Sequence, residues 1–229
     1  MSQLLPDQTT LDEHATRYPA FARWREGHGV IRHTPETQAA AYRLAHHLQQ
    51  TGQQTDIGSV YEILTALDHL TSAGMWLVVH MTYAKRCHTD GTPLAAEDFK
   101  SRPEGHTGGA LNMVPAYAAY LALGSLTGQT RSWLMGQGHC VAAIDAINVL
   151  TGNLHPEQAA RYAGDAGLEQ LLRDFYGYAQ LPDGRPAAPL GSHVNAFTAG
   201  GIIEGGYLGF AELQYGLPLR WGCRGTARQ

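Results

Sequence analysis

The chain has 229 residues, 44% of them hydrophobic and 16% charged, with a formal net charge of -4, a balance that suits a soluble α/β protein with a sizeable core. Its basic residues are scattered, which excludes the concentrated positive surface of a nucleic-acid binder. The cysteines Cys87, Cys140 and Cys223 are far apart, no secretory signal opens the chain, and no apolar run approaches the roughly 20 residues that span a bilayer, so a reduced, cytoplasmic setting without a membrane partner is expected.

The first 34 residues are mixed and polar, with Tyr18, Phe21 and Trp24 as aromatic anchors. Thr34-Pro35-Glu36 then reads as a helix start and predicts a helix to about Gln50. Ser59 is expected to cap a second helix carrying Val60, Ile63, Leu64, Leu67 and Leu70 at helical spacing, and residues 71–86 predict a third, buried one. His46 and His47 lie on a polar helical surface and are expected to be solvated, whereas His69 and His80 read as satisfied core or interface residues.

From Cys87 to Gly109 the composition turns to Gly, Pro, Asp, Thr and His, the mark of a long irregular connection, and this loop delivers His106. His88 and Asp90 lack a third ligand at useful spacing, so no metal site is assigned. Residues 111–123 predict a helix, Trp133-Leu134-Met135 a short buried strand, and residues 140–150 a helix launched from Gly136-Gln137-Gly138-His139. An amphipathic helix over residues 165–178 follows. A second Gly/Pro-rich loop then ends in Gly191-Ser192-His193, and residues 200–209 hold five glycines.

Glycine turns before helices let a backbone approach an anion, and the N–H groups of the following helical turn suit a diphosphate. The other reading of Gly136 to His139 is a tight strand-to-helix turn with His139 as its cap. His106, His139 and His193 are the candidate catalytic residues, because imidazole exchanges protons near neutral pH. Cys140, beside His139, reads as a small buried residue rather than a nucleophile. Asn112 and Asn195 are ligand donors or turn residues, and the chain alone does not choose between the two.

These segments resemble the N-terminal, diphosphate-binding half of the transketolase and phosphoketolase group of thiamine-diphosphate enzymes. The resemblance rests on Gly105-His106-Thr107-Gly108, Gly136-Gln137-Gly138-His139, Ser192-His193 and Glu204-Gly205-Gly206-Tyr207-Leu208-Gly209, four motifs in the group's order. It implies catalytic roles for His106, His139 and His193. It implies cofactor contacts from Gly105, Gly108, Gly136, Gly138, Glu204, Gly205, Gly206 and Leu208. The run from Arg102 to Met113 is similar to chains described as xylulose 5-phosphate 3-epimerases. True phosphoketolases carry a histidine just before Glu-Gly-Gly, where this chain has Ile203.

The resemblance therefore implies a three-layer α/β fold with a mainly parallel sheet over residues 96–229, preceded by a helical arm over residues 1–95. It implies a ketose phosphate substrate and thiamine-diphosphate carbanion chemistry, of the epimerase type in preference to the C2–C3 cleavage of a phosphoketolase or transketolase. Thiamine diphosphate and Mg²⁺ would serve the full-length parent. The Gly-Asp-Gly type motif that holds the metal is absent from this chain, since Asp90, Asp165 and Asp183 stand in the wrong context. The chain is accordingly expected to be a shortened N-terminal piece that lacks downstream domains of a homodimeric parent. A non-catalytic binding remnant and a cofactor-free sugar-phosphate isomerase are the rival readings.

Overall fold

The computed structural model describes residues 6–129 and 140–175, with 177 and 182. Eight α-helices occur among the described residues: α1 (Gln8–Arg17), α2 (Pro19–Arg25), α3 (Pro35–Gln50), α4 (Ile57–Tyr83), α5 (Thr107–Thr127), α6 (Val141–Thr151), α7 (Pro156–Arg161) and α8 (Gly164–Asp174). None is long and apolar enough to cross a membrane.

Local chemistry sets most helix starts. The Asp7 carboxylate accepts from the Thr10 N–H at 2.9 Å and opens α1. Tyr18 is extended, and Pro19 begins α2 with a φ already suited to a helix. Thr34 caps α3 ahead of Pro35, as its sequence predicts. For α4 the expected cap is one turn out of place. Asp56, not Ser59, accepts the Gly58 and Ser59 N–H groups at 3.0 and 2.9 Å, so Ser59 lies inside the helix.

The chain divides into two compact units. The first, Met1–Ser72 with Ala118–Arg131, has a core in which Leu11, Phe21, Trp24, Ala45, Leu48, Val60, Tyr61 and Leu126 are buried together. The second, Ala73–Tyr117 with Ser132–Gln229, buries Leu77, Val78 and Met81 of α4, Val114 of α5, Ile144 and Ile147 of α6, and Leu171 and Leu172 of α8. Helix α6 is buried on every side from Val141 to Asn148. Gly74 allows the close packing there: a Cβ at that position would lie 2.9 Å from Val114 Cγ1 and 3.0 Å from Ile147 Cδ1.

The expected three-layer α/β fold with a mainly parallel sheet is overturned, because the described residues contain helices and no strand. Their β pairing amounts to two isolated antiparallel bridges, His28 with Ile31 and Ala84 with Phe99. The predicted helical segments carry their apolar residues three and four positions apart rather than in period-two alternation. The sheet was implied by the resemblance, and the residue patterning had offered one short strand for it. The expected strand Trp133 to Met135 lies outside the described residues.

Two predicted helices, before and after Thr71, are one helix of 27 residues, since no proline or cap interrupts them. Helix α5 starts at Thr107, earlier than the predicted 111, and α8 ends at Asp174, short of the predicted 178.

A histidine corner as candidate functional site

Among the candidate residues, Gly105, His106 and Gly108 are described, and the structure brings them into one corner of the second unit. His139, Gly136, Gly138, His193, Glu204, Gly205, Gly206 and Leu208 lie outside the described residues, as does Asn195.

The corner is built from the end of α4. After Tyr83 the chain loops out and returns antiparallel to itself. The Lys85 N–H donates to Asp98 O at 2.6 Å, the Lys100 N–H to Tyr83 O at 2.8 Å, and the Glu104 N–H to Thr82 O at 2.9 Å. A 3-10 turn, Ala96–Asp98, shapes the middle of the loop, where the Asp98 carboxylate accepts from the Ala95 N–H at 2.8 Å.

Gly105 then turns the chain away from α4 with φ of 84°, a left-handed conformation that strains any residue with a Cβ. His106 follows immediately and caps α5. Its Nδ1 accepts from the Gly109 N–H at 3.0 Å, and its carbonyl accepts from the Ala110 N–H at 3.3 Å.

This cap has a chemical consequence. Because Nδ1 is an acceptor, the neutral ring carries its proton on Nε2. The side chain is exposed. Thr107 beside it is tied to α4, its Oγ1 lying 3.3 Å from the Tyr83 hydroxyl. A Cβ at Gly108 would meet only His106 Cε1, at an ordinary 3.5 Å. No neighbour among the described residues therefore requires glycine there. The Asn112 side-chain amide donates to Gly108 O at 2.9 Å.

One residue of the corner escaped sequence reasoning. The Lys100 side chain is 10% exposed and its Nζ donates three ways: to Met81 O at 2.8 Å, to Leu172 O at 3.1 Å, and to the Glu104 carboxylate, with which it is ion-paired. The spacing of Lys100 and Glu104, four residues apart, was a visible signal. The two carbonyl partners were not.

The other titratable groups lie away from this corner's hydrogen bonds. Cys140 precedes α6 with a buried thiol whose pKa is pushed up by desolvation, and it makes no capping bond. Asp145, on α6, is 1% exposed, and neither carboxyl oxygen has a hydrogen-bond partner among the described residues. Burial holds its pKa well above the usual carboxylate range.

Two expectations about other histidines change. His46 is half-buried, its ring centroid 4.3 Å from that of Tyr42 and 5.4 Å from that of His14, so it is not a solvated residue. His69 is exposed, its ring centroid 3.8 Å from that of His28, so it is not a core residue. His80 is half-buried, and its Nδ1 lies 2.9 Å from the Trp76 carbonyl oxygen, in keeping with a satisfied residue.

Comparison with known proteins places this corner in a family. The model of the XFP N-terminal domain matches residues 59–217. The chain belongs to that family. It is 28% identical over 165 residues to a protein of Schizosaccharomyces pombe named "Probable phosphoketolase", covering 72% of this chain and 18% of that protein. It is 30% identical over 151 residues to one of the same name from Lactococcus lactis subsp. lactis, covering 64% of this chain and 17% of the relative. The chain thus spans less than a fifth of the length of the curated relatives it matches. No solved structure is significantly similar to it.

Proposed function

We propose that this chain contributes the His106 corner to a phosphoketolase-like enzyme that cleaves the C2–C3 bond of a ketose phosphate, xylulose 5-phosphate being the substrate the motifs suggest. The supporting observation is the exposed His106 side chain, held through Nδ1 at the start of α5, within a Gly-His-x-Gly turn inside the matched region. The names of the relatives support cleavage over the epimerase outcome. Ile203, standing where phosphoketolases carry a histidine, and the run from Arg102 to Met113 favour epimerisation.

The residues of the corner fit the approach of an anionic group. The start of α5 carries N–H groups that a helix leaves without intrahelical partners, and Gly108 keeps backbone within reach. Gly105 and Gly108, with Gly136, Gly138, Glu204, Gly205, Gly206 and Leu208, would hold thiamine diphosphate, and Mg²⁺ would need ligands other than these. When bound, the cofactor supplies an electron sink for breaking a bond next to a carbonyl. His106 would hold or deliver a proton at Nε2 to a sugar hydroxyl, with His139 and His193 as further proton carriers. Its Nδ1 is occupied by the Gly109 N–H, so the ring is held in orientation while Nε2 exchanges.

The test is turnover of xylulose 5-phosphate by the protein that contains this chain, with thiamine diphosphate, Mg²⁺ and phosphate present or withheld. Cofactor-dependent formation of a two-carbon acyl phosphate supports cleavage, and a C3 epimer as sole product supports the second reading. His106→Ala is expected to lower kcat by about 100-fold or more, the usual contribution of a positioned acid or base. Undiminished turnover in that variant refutes the role given to His106.

A further inference from the structure

We propose that Lys100 is a positioning residue for His106: one buried ammonium pins the histidine loop to the ends of two helices. The proposal rests on the reading of His106 as the functional group of the corner. Residues 88–95 are mostly exposed polar, glycine and proline positions, tied down by Thr89, which donates to the Asp165 carboxylate at 2.6 Å, and by the main-chain bonds at the two ends of the loop. The loop delivers Gly105 and His106 at a fixed point, where α5 begins.

Lys100 accounts for that. All three of its N–H donors have an oxygen partner: the carbonyls of Met81 near the end of α4 and Leu172 near the end of α8, and the Glu104 carboxylate. Helix C-termini carry carbonyls without intrahelical partners and partial negative charge, so an ammonium is well suited to join two of them. Glu104 adds full negative charge and lies next to Gly105. Its backbone N–H donates to Thr82 O, so Glu104 is held through both main chain and side chain.

From that fixed residue only Gly105 intervenes before the His106 ring. The three bonds of the Lys100 ammonium go to Met81, Leu172 and Glu104. Its effect on His106 passes through Glu104 and the Gly105 turn.

The test is amide hydrogen exchange across residues 98–110, together with the NMR signals and pH titration of the His106 ring, in the wild type, Lys100→Met, Lys100→Arg and Glu104→Gln. Lys100→Met is expected to speed exchange at Glu104 and Gly109 by roughly tenfold or more, as when a charge-assisted hydrogen bond is lost. It should also shift the His106 titration while leaving exchange in α6 unchanged. Lys100→Arg should restore part of the protection.

Should Lys100→Met fail to fold, Glu104→Gln decides. That variant keeps both carbonyl bonds and loses only the ion pair, and its Gly109 exchange and His106 titration should still move. Wild-type exchange and titration in whichever variant folds overturn the proposal. Its fate is separable from that of the functional reading: if the loop loosens as expected but His106→Ala turns over sugar phosphate normally, the clamp stands and the role of the histidine falls.

Discussion

His14 Nε2 lies 2.8 Å from the Tyr61 hydroxyl oxygen in the core of the first unit, joining α1 to α4 across 47 positions of sequence. His14 is 7% exposed and ringed by Tyr18, Phe21, Tyr42, His46 and Tyr61. Burial, with the positive charges of His46 and Arg17 as smaller causes, lowers its pKa from 6.5 to about 4. The fold therefore prefers the neutral ring. Its contribution is complete above pH 6.5 and is lost as pH falls from there toward 4, where the folded state also takes up the proton. Denaturant titrations at pH 7 and pH 4.5 should differ by about 2 kcal/mol from this residue. The difference should shrink in His14→Gln, which can hydrogen-bond but cannot titrate. An equal pH dependence in that variant would remove His14 as the cause.

The opposite sign is expected for Asp145. Its folded pKa is raised above 3.8, so the folded state keeps a proton that the unfolded chain gives up. Stability attributable to this group is greatest below pH 3.8 and falls as pH rises toward the folded pKa. Asp145→Val should raise stability at pH 7 by about 1–3 kcal/mol, because it removes a buried group with no partner among the described residues. Asp145→Asn should flatten the pH dependence above pH 4 without the full gain. Melting temperatures across pH 4–8 check both, and a destabilised Asp145→Val would show that the carboxyl has a partner in solution.

Gly167→Ala tests packing against propensity. Alanine is the better helix former by about 1 kcal/mol. A Cβ at Gly167, however, would lie 2.2 Å from the Tyr162 carbonyl carbon and 2.7 Å from its Cα, which are backbone atoms that cannot swing aside. The substitution should cost about 2–3 kcal/mol net and separate α7 from α8. A neutral or positive change in unfolding free energy would show that the two helices shift freely.

Asp174 collects four donors: Arg161 Nε at 2.6 Å and Nη2 at 3.0 Å, the Tyr162 hydroxyl at 3.0 Å, and Gln170 Nε2 at 2.8 Å. Burial raises its pKa, but these donors together outweigh burial and hold it below the usual value of 3.8. Its stabilisation is thus present above pH 3.8 and lost as pH falls below that value. Asp174→Ala should destabilise the second unit by about 2–3 kcal/mol, discounted because the Arg161 side chain is 37% exposed. Arg161→Met should cost less, since Tyr162 and Gln170 still satisfy the carboxylate. A reversed order of the two variants in a denaturation series contradicts this account.

Where the sequence could be read, the signal was local. Thr34-Pro35 marked the start of α3, and the apolar spacing over residues 60–70 marked part of α4, because caps and periodicity depend on neighbours within a turn. The Gly105-His106-Thr107-Gly108 motif likewise falls on one turn, where Gly105 needs glycine for its positive φ. The sheet failed as an expectation because it came mainly from likeness of motifs, while the apolar spacing over residues 60–70 was helical in pattern. Asp56 outcompeted Ser59 as cap of α4 because its carboxylate accepts two N–H groups, an advantage that residue type alone did not reveal.

The amino-acid order by itself determined the family, the helical segments and the glycine that turns the chain into His106. Only the tertiary structure decided which polar groups are buried and what they meet. Lys100 reaches Leu172 O across 72 positions, His14 reaches Tyr61 across 47, and Asp145 meets nothing among the described residues. Hydrogen bonds within a turn follow from adjacent residues. Desolvation and long-range partners follow from how helices pack, and they set the protonation of His14 and Asp145 and the anchoring of the loop before His106.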